Sequence, residues 1–251
     1  MVDFVGAGCG AADLITVRGM RLIQNADVII YAGSLVNPEL TKFAKDSCEI
    51  CNSAHMTLDE VIEVMEKAEA AGKNTVRLHT GDPSLYGAIR EQTDRLDKLG
   101  IEYKICPGVS SFCGVAAALK AEYTLPEISQ SVIITRMAGR TPVPEKESIE
   151  SLAAHGASMV IFLSAGMTSE VSERLQKGGY SAETPAALVY KATWEDEKVC
   201  RCTVGTLAET AESSGINKTA LIVVGDFLGE NRFLSKLYDP NFETGYRKAK
   251  K

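Results

Sequence analysis

No apolar run in this chain approaches the roughly 20 residues that a membrane-spanning helix needs, and its first residues, Met1 to Gly10, read as a strand and a turn with no basic region. No membrane association is expected, and the chain reads as cytoplasmic. Positive charge is also in deficit, since 27 Lys and Arg against 33 Asp and Glu leave a net charge of −6. Without a global basic field to attract a phosphate backbone, nucleic acid is not an expected partner. Seven cysteines, an odd number, do not make a disulfide framework. Cys48-x-x-Cys51 and Cys200-x-Cys202 miss the usual zinc spacings, so no metal site is expected. The three histidines form no ligand or relay set by spacing. Neither a Gly-x-x-x-x-Gly-Lys-Ser/Thr loop nor a Gly-x-Ser-x-Gly elbow occurs, which leaves P-loop hydrolysis and Ser-His-Asp hydrolysis unsupported.

What the 251 residues do carry is alternation. Strand-like Val2–Val5, Val28–Tyr31, Thr75–His79 and Tyr103–Cys106 are separated by helical patterns near Leu14–Gln24, near Pro38–Ala44, after Thr57 and from about Leu85 to Leu99. Such a pattern predicts a mainly parallel sheet covered by helices. Thr57-x-x-Glu60 is a capping box, and Leu58, Val61, Ile62, Met65 and Ala68 follow at helical spacing. After Pro107-Gly108 and a short helix containing Ala116–Leu119, a second series begins: 132–135, 159–163, 186–190, 199–204 and 220–224. No helix separates the strands on either side of Glu195, which predicts a hairpin and a mixed sheet. The expectation is two α/β domains, residues 1–121 and 122–251, with an interdomain cleft where small-molecule sites tend to lie.

The richest stretch is His79-Thr80-Gly81-Asp82-Pro83-Ser84-Leu85-Tyr86-Gly87, where a strand runs into a glycine, a carboxylate and a proline. Backbone bared at the carboxyl end of a strand can approach a ligand closely. Pro107-Gly108-Val109-Ser110-Ser111 repeats the device, with serines that can cap a helix or bind a ligand. Gly6-Ala7-Gly8-Cys9-Gly10-Ala11 formally fits a dinucleotide fingerprint, but the second strand ends in Ala32-Gly33-Ser34 and lacks the acid that holds ribose hydroxyls. The loop Thr135–Pro144 carries Arg136 and Arg140, whose planar forks suit carboxylates, and Tyr190–Lys198 holds the single tryptophan.

Taken in order and register, these loops resemble one family, the class III tetrapyrrole (corrin/porphyrin) methyltransferases. Val5–Gly10 with Leu14–Val17, Ala26–Val28 with Tyr31 and Ser34–Val36, His79–Gly87, Pro107–Ser111, Thr135–Pro144 and Tyr190–Lys198 carry the resemblance over nearly the whole chain. Gly139–Pro144 joined to Tyr190–Trp194 is similar to the branch that methylates precorrin-4 or cobalt-precorrin-4 at C11. The resemblance implies a homodimeric, S-adenosylmethionine-dependent C-methyltransferase of cobalamin biosynthesis, with a tetrapyrrole substrate and the methyl donor in the cleft. Carried onto this chain, it implies Gly81, Asp82, Leu85, Ser110, Ser111, Leu163, Tyr190 and Ala192 as donor contacts. Arg136, Arg140 and Lys191 are the candidates for gripping the macrocycle's carboxylates. No catalytic acid or base is assigned. Where relatives read Gly-Pro-Gly-Asp-Pro this chain has Gly8-Cys9-Gly10-Ala11-Ala12, and where uroporphyrinogen-methylating relatives carry an acid it has Ala32-Gly33. A dinucleotide-dependent oxidoreductase, methylation at another corrin-pathway position and a non-catalytic tetrapyrrole carrier stay open as alternatives.

Overall fold

The computed structural model describes residues 1–33, 35–230 and 235–249. Ser34 and the last two lysines of the tail therefore lie outside the described residues. The chain divides into two compact units, one of residues 1–115 with 191–197, the other of 116–190 with 198–251.

The first unit is an all-parallel five-stranded sheet of order β3-β2-β4-β1-β5, from β1 (Val2–Gly6), β2 (Val28–Tyr31), β3 (Glu49–Asn52), β4 (Thr75–His79) and β5 (Tyr103–Cys106). Side-chain alternation along the strands makes two cores. Val5, Ile29, Val76 and Leu78 pack under α1 (Val17–Asn25) through Ile23. Phe4, Val28 and Ile30 face α2 (Leu58–Ala70) and α3 (Arg90–Leu99) through Val61, Ile62, Met65 and Leu96. The chain therefore leaves β1 over one face and β4 over the other, in opposite directions. In open α/β sheets such a reversal is where ligands are received, at the carboxyl ends of the two neighbouring strands.

The second unit is a mixed sheet of order β6-β7-β10-β8-β9, from β6 (Val132–Arg136), β7 (Ser158–Phe162), β8 (Pro185–Tyr190), β9 (Lys198–Thr203) and β10 (Ala220–Val224). Only β6 and β7 run parallel; the expected hairpin is present as antiparallel β8 and β9. Its core gathers Met159, Ile161, Leu188 and Ile222 with Ile149 of α5 (Ile149–Ala153), Val171 and Leu175 of α6 (Thr168–Lys177), and Leu207 of α7 (Leu207–Ser214).

Three helix expectations shift. The first helix begins at Val17, because Thr16 caps it by accepting the Gly19 N–H at 3.1 Å, after a 3-10 turn at Ala12–Leu14. Pro38–Phe43 is 3-10, capped by Asn37. The helix expected from Leu85 begins only at Arg90, because Tyr86 (φ 56°) and Ala88 (φ 48°) take left-handed conformations that break helical progress. The short helix containing Ala116–Leu119 is present as α4 (Ser111–Leu119). The capping box is real in both directions, with the Glu60 N–H donating to Thr57 Oγ1 and the Thr57 N–H donating to the Glu60 carboxylate.

Candidate active site

At the carboxyl edge of the parallel sheet, three neighbouring strand ends meet on glycines. A Cβ on Gly108 would lie 2.1 Å from the Gly81 carbonyl oxygen and 2.7 Å from Gly6 Cα. No side chain fits there, so the backbones after β4, β1 and β5 close on one another. Pairing continues past the strands: the Ala7 N–H donates to the His79 carbonyl (2.7 Å) and the Gly81 N–H to the Gly8 carbonyl (3.0 Å). Gly81 turns with φ 61°, and its Cβ position faces Ser110 Cα and Ser111 N at 3.4 Å. The structure thus gathers Gly81, Asp82, Ser110 and Ser111. Ser110 is buried, Ser111 opens α4, and Leu85 lies half-buried in the turn that begins at Pro83.

Asp82 works as a bracket. One carboxylate oxygen accepts the Gly108 N–H at 2.8 Å; the other accepts the Ser84 N–H at 2.8 Å and the Ser84 hydroxyl. Burial opposes its charge, but the bonds from Ser84 and Gly108 together outweigh it and hold the carboxyl below its ordinary range. An ionised acceptor with its lone pairs so occupied is suited to fixing two loops and poorly suited to taking a proton.

The segment 191–197 folds against the first glycine loop. Thr193 Oγ1 accepts the Ala11 N–H at 3.0 Å, while the Thr193 N–H donates to Glu197 Oε2 at 2.6 Å. A Cβ on Gly10 would lie 2.4 Å from Trp194 Cδ1 and 2.5 Å from the Ala192 carbonyl oxygen. Gly10, which falls at an unspecified position of the dinucleotide fingerprint, is therefore covered by the chain's own residues. Asn37 adds a bond from Nδ2 to the Gly10 carbonyl at 3.0 Å. Neither Thr193 nor Asn37 emerged from the sequence, since each acts on a residue remote from it in the chain. Ala192 is buried, and Lys191 pairs with Asp196 at 2.6 Å and lies 5.1 Å from the Trp194 ring centroid.

Beneath the Gly81 loop, His79 is 4% exposed and stacks on Phe4 with centroids 5.8 Å apart. Burial, then the nearby Arg77 guanidinium, pushes its pKa down to about 3, so the ring is neutral. Its Nε2 has no hydrogen-bond partner among the described residues. Arg77 itself, lowered to about 10 by burial, is held by Gln92 Oε1 (3.0 Å), Ser53 Oγ (3.0 Å) and the Ile30 carbonyl (3.2 Å).

In the second unit, the ends of parallel β6 and β7 are tied by one hydroxyl. Ser164 Oγ accepts the Met137 N–H at 2.9 Å and donates to the Phe162 carbonyl at 2.6 Å. Leu163 sits between these contacts at φ 53° and 62% exposed, a strained and solvated placement for a leucine. Tyr190 ends β8 half-buried. Arg136 ends β6, and its guanidinium donates to the carbonyls of Met137 (3.1 Å), Thr141 (3.2 Å) and Pro142 (2.8 Å). Arg140, exposed in the same loop, makes no hydrogen bond or ion pair among the described residues. Cys48 and Cys51 belong to the first unit and Cys200 and Cys202 to the second, and all seven cysteines are free thiols.

The model of the tetrapyrrole (corrin/porphyrin) methylases matches residues 1–208. A cobalt-precorrin-4 C(11)-methyltransferase of Methanocaldococcus jannaschii is 55% identical over 251 residues, covering 100% of this chain and 97% of the relative. A precorrin-4 C(11)-methyltransferase of Sinorhizobium is 44% identical over 248 residues, 98% of each chain. Among solved structures, a cobalt precorrin-4 methyltransferase of cobalamin biosynthesis superposes with a TM-score of 0.89 at 45% identity, covering 90% of this chain and 95% of that one.

Proposed function

The chain belongs to the tetrapyrrole methylases, and on that premise we propose that it transfers a methyl group from S-adenosylmethionine to C11 of precorrin-4 or cobalt-precorrin-4. The observation that carries this reading is 55% identity over 100% of this chain and 97% of a relative named for the cobalt-precorrin-4 reaction. S-adenosylmethionine supplies an electrophilic methyl: its carbon–sulfur bond breaks as the bond to C11 forms, leaving S-adenosylhomocysteine, with one proton released overall from the macrocycle.

The chain's own part is positioning. Holding reactants in near-attack geometry supplies on the order of 7 to 11 kcal/mol. Gly81, Asp82, Leu85, Ser110, Ser111 and Ala192, all of the first unit, hold the donor. The glycines let the backbones after β1, β4 and β5 close on one another, because a Cβ on Gly6 would lie 2.5 Å and one on Gly108 2.1 Å from neighbouring backbone. Asp82 keeps the Gly81 and Gly108 loops in register and takes no proton. Arg140 and Lys191 contact the macrocycle's carboxylates. No side chain is given the role of general base.

The same reading makes the protein a cytoplasmic homodimer that takes a small tetrapyrrole and no nucleic acid. A net charge of −6 favours the last point, and no described helix is long and apolar enough to cross a membrane. The oxidoreductase reading lacks the acid that would hold ribose hydroxyls, because the second strand is followed by Ala32-Gly33. Titration calorimetry with S-adenosylhomocysteine beside NAD tests the donor. Binding of the thioether and not NAD is expected, and binding of NAD alone would overturn the proposal.

A further inference from the structure

Arg136 has the residue type of a carboxylate grip but the bonding of a staple. Its Nη1 reaches the Met137 and Thr141 carbonyls and its Nη2 the Pro142 carbonyl, so one planar group spans the loop from its first residue to its sixth. The Gly139 N–H donates across the same loop to the Thr141 carbonyl at 3.2 Å, and Ser164 fixes the loop's root by accepting the Met137 N–H. Five polar bonds therefore close residues 136–142 into a rigid turn. Arg140 projects from that turn, exposed, with no hydrogen bond or ion pair among the described residues.

We infer that Arg136 is a positioning residue and not a substrate contact: its guanidinium holds the 137–142 turn closed so that Arg140 meets a carboxylate of the macrocycle. The inference rests on the tetrapyrrole reading above. A contact role would depend on positive charge, which lysine preserves. A stapling role depends on a flat fork with donors in several directions, which lysine's single ammonium cannot reproduce. The roles of Arg136 and Arg140 can therefore be separated by substitution.

The test compares Arg136→Lys, Arg136→Gln, Arg140→Lys and Arg140→Gln in the full-length protein. Readouts are KM and kcat with cobalt-precorrin-4, the Kd of S-adenosylhomocysteine, and limited trypsinolysis after Arg140 in the two Arg136 variants. A hydrogen-bonded charged group is typically worth enough to move an equilibrium about tenfold or more. Both Arg136 variants are therefore expected to raise KM about tenfold, with kcat and thioether Kd little changed, and to be cut faster after Arg140 than the parent. Arg140→Lys should keep most affinity. Arg140→Gln should raise KM and flatten its dependence on salt, which both Arg136 variants should retain.

An Arg136→Lys protein with parental KM beside a defective Arg136→Gln would make the charge the active feature and overturn the inference. So would Arg136 variants that resist trypsin as the parent does. If the parent neither binds nor turns over the tetrapyrrole, the functional reading fails, and the trypsin comparison still decides whether Arg136 staples the loop.

Discussion

Replacing Asp82 with alanine removes the acceptor that joins the loops after β4 and β5. The Gly108 N–H, part-buried, loses an ionised partner at 2.8 Å, and Ser84 loses two bonds in a more exposed position. A bond to a charged acceptor contributes about 1.5–3 kcal/mol when buried. Discounting the exposed pair to about 1 kcal/mol and taking about 2 kcal/mol for Gly108 gives a loss of roughly 3 kcal/mol. If the loops must then be re-formed on binding, the affinity for S-adenosylhomocysteine falls on the order of 100-fold. Asp82→Asn should recover only part of this, because its NH2 must face the N–H donor of either Gly108 or Ser84. The carboxyl is held below its ordinary value, so its contribution is fully present above the unfolded value near 3.8 and is lost only as pH falls through the folded one. The defect should therefore be equal at pH 6 and pH 8. Calorimetric titration of both variants checks this, and Asp82→Ala with parental affinity and parental melting temperature would refute the bracket.

His79 makes the fold acid-sensitive in a defined window. Its folded pKa of about 3 lies below the unfolded 6.5, so the unfolded chain binds more protons. The neutral ring's contribution is whole well above pH 6.5 and shrinks toward pH 3, by roughly 2 kcal/mol between pH 6.5 and 4.5. Urea melts of His79→Leu should show a flatter slope over that interval. Thr193→Val deprives the Ala11 N–H of its acceptor and should cost about 1–2 kcal/mol, with faster amide exchange at Ala11; unchanged exchange there would remove Thr193 from the site's support. Gly108→Ala has only backbone to displace, with its nearest neighbour at 2.1 Å, and should cost about 4 kcal/mol or more or prevent folding. Gly72→Ala meets open space at φ 67° and should cost about 1–2 kcal/mol in denaturant melts.

The strands were legible wherever a short apolar run was followed closely by glycine, as at Val28–Tyr31 and Ala220–Val224, because burial on both faces removes polar residues from such runs. The capping box at Thr57 was legible because it is local chemistry. The late start of α3 was not, since Tyr86 and Ala88 adopt left-handed torsions that neither residue type announces. The chemistry of the Gly81-Asp82 and Ser110-Ser111 loops could be read from residue types, but that Asp82 reaches the Gly108 amide depends on β1 seating itself between β4 and β5. Thr193 and Trp194 over the Gly8–Gly10 loop are a contact across some 180 residues, for which no periodicity exists to signal it. Arg136 shows the opposite difficulty. Its residue type suggested an outward contact, and only the geometry reveals three carbonyls of its own loop.

The central claim is transfer of a methyl group to one carbon of a corrin precursor. The direct measurement incubates the protein with methyl-labelled S-adenosylmethionine and cobalt-precorrin-4, then locates the label in the tetrapyrrole by carbon NMR. One labelled methyl at C11 and one equivalent of S-adenosylhomocysteine are expected. Label at a different ring carbon, or a tetrapyrrole bound tightly with no label acquired, would contradict the claim.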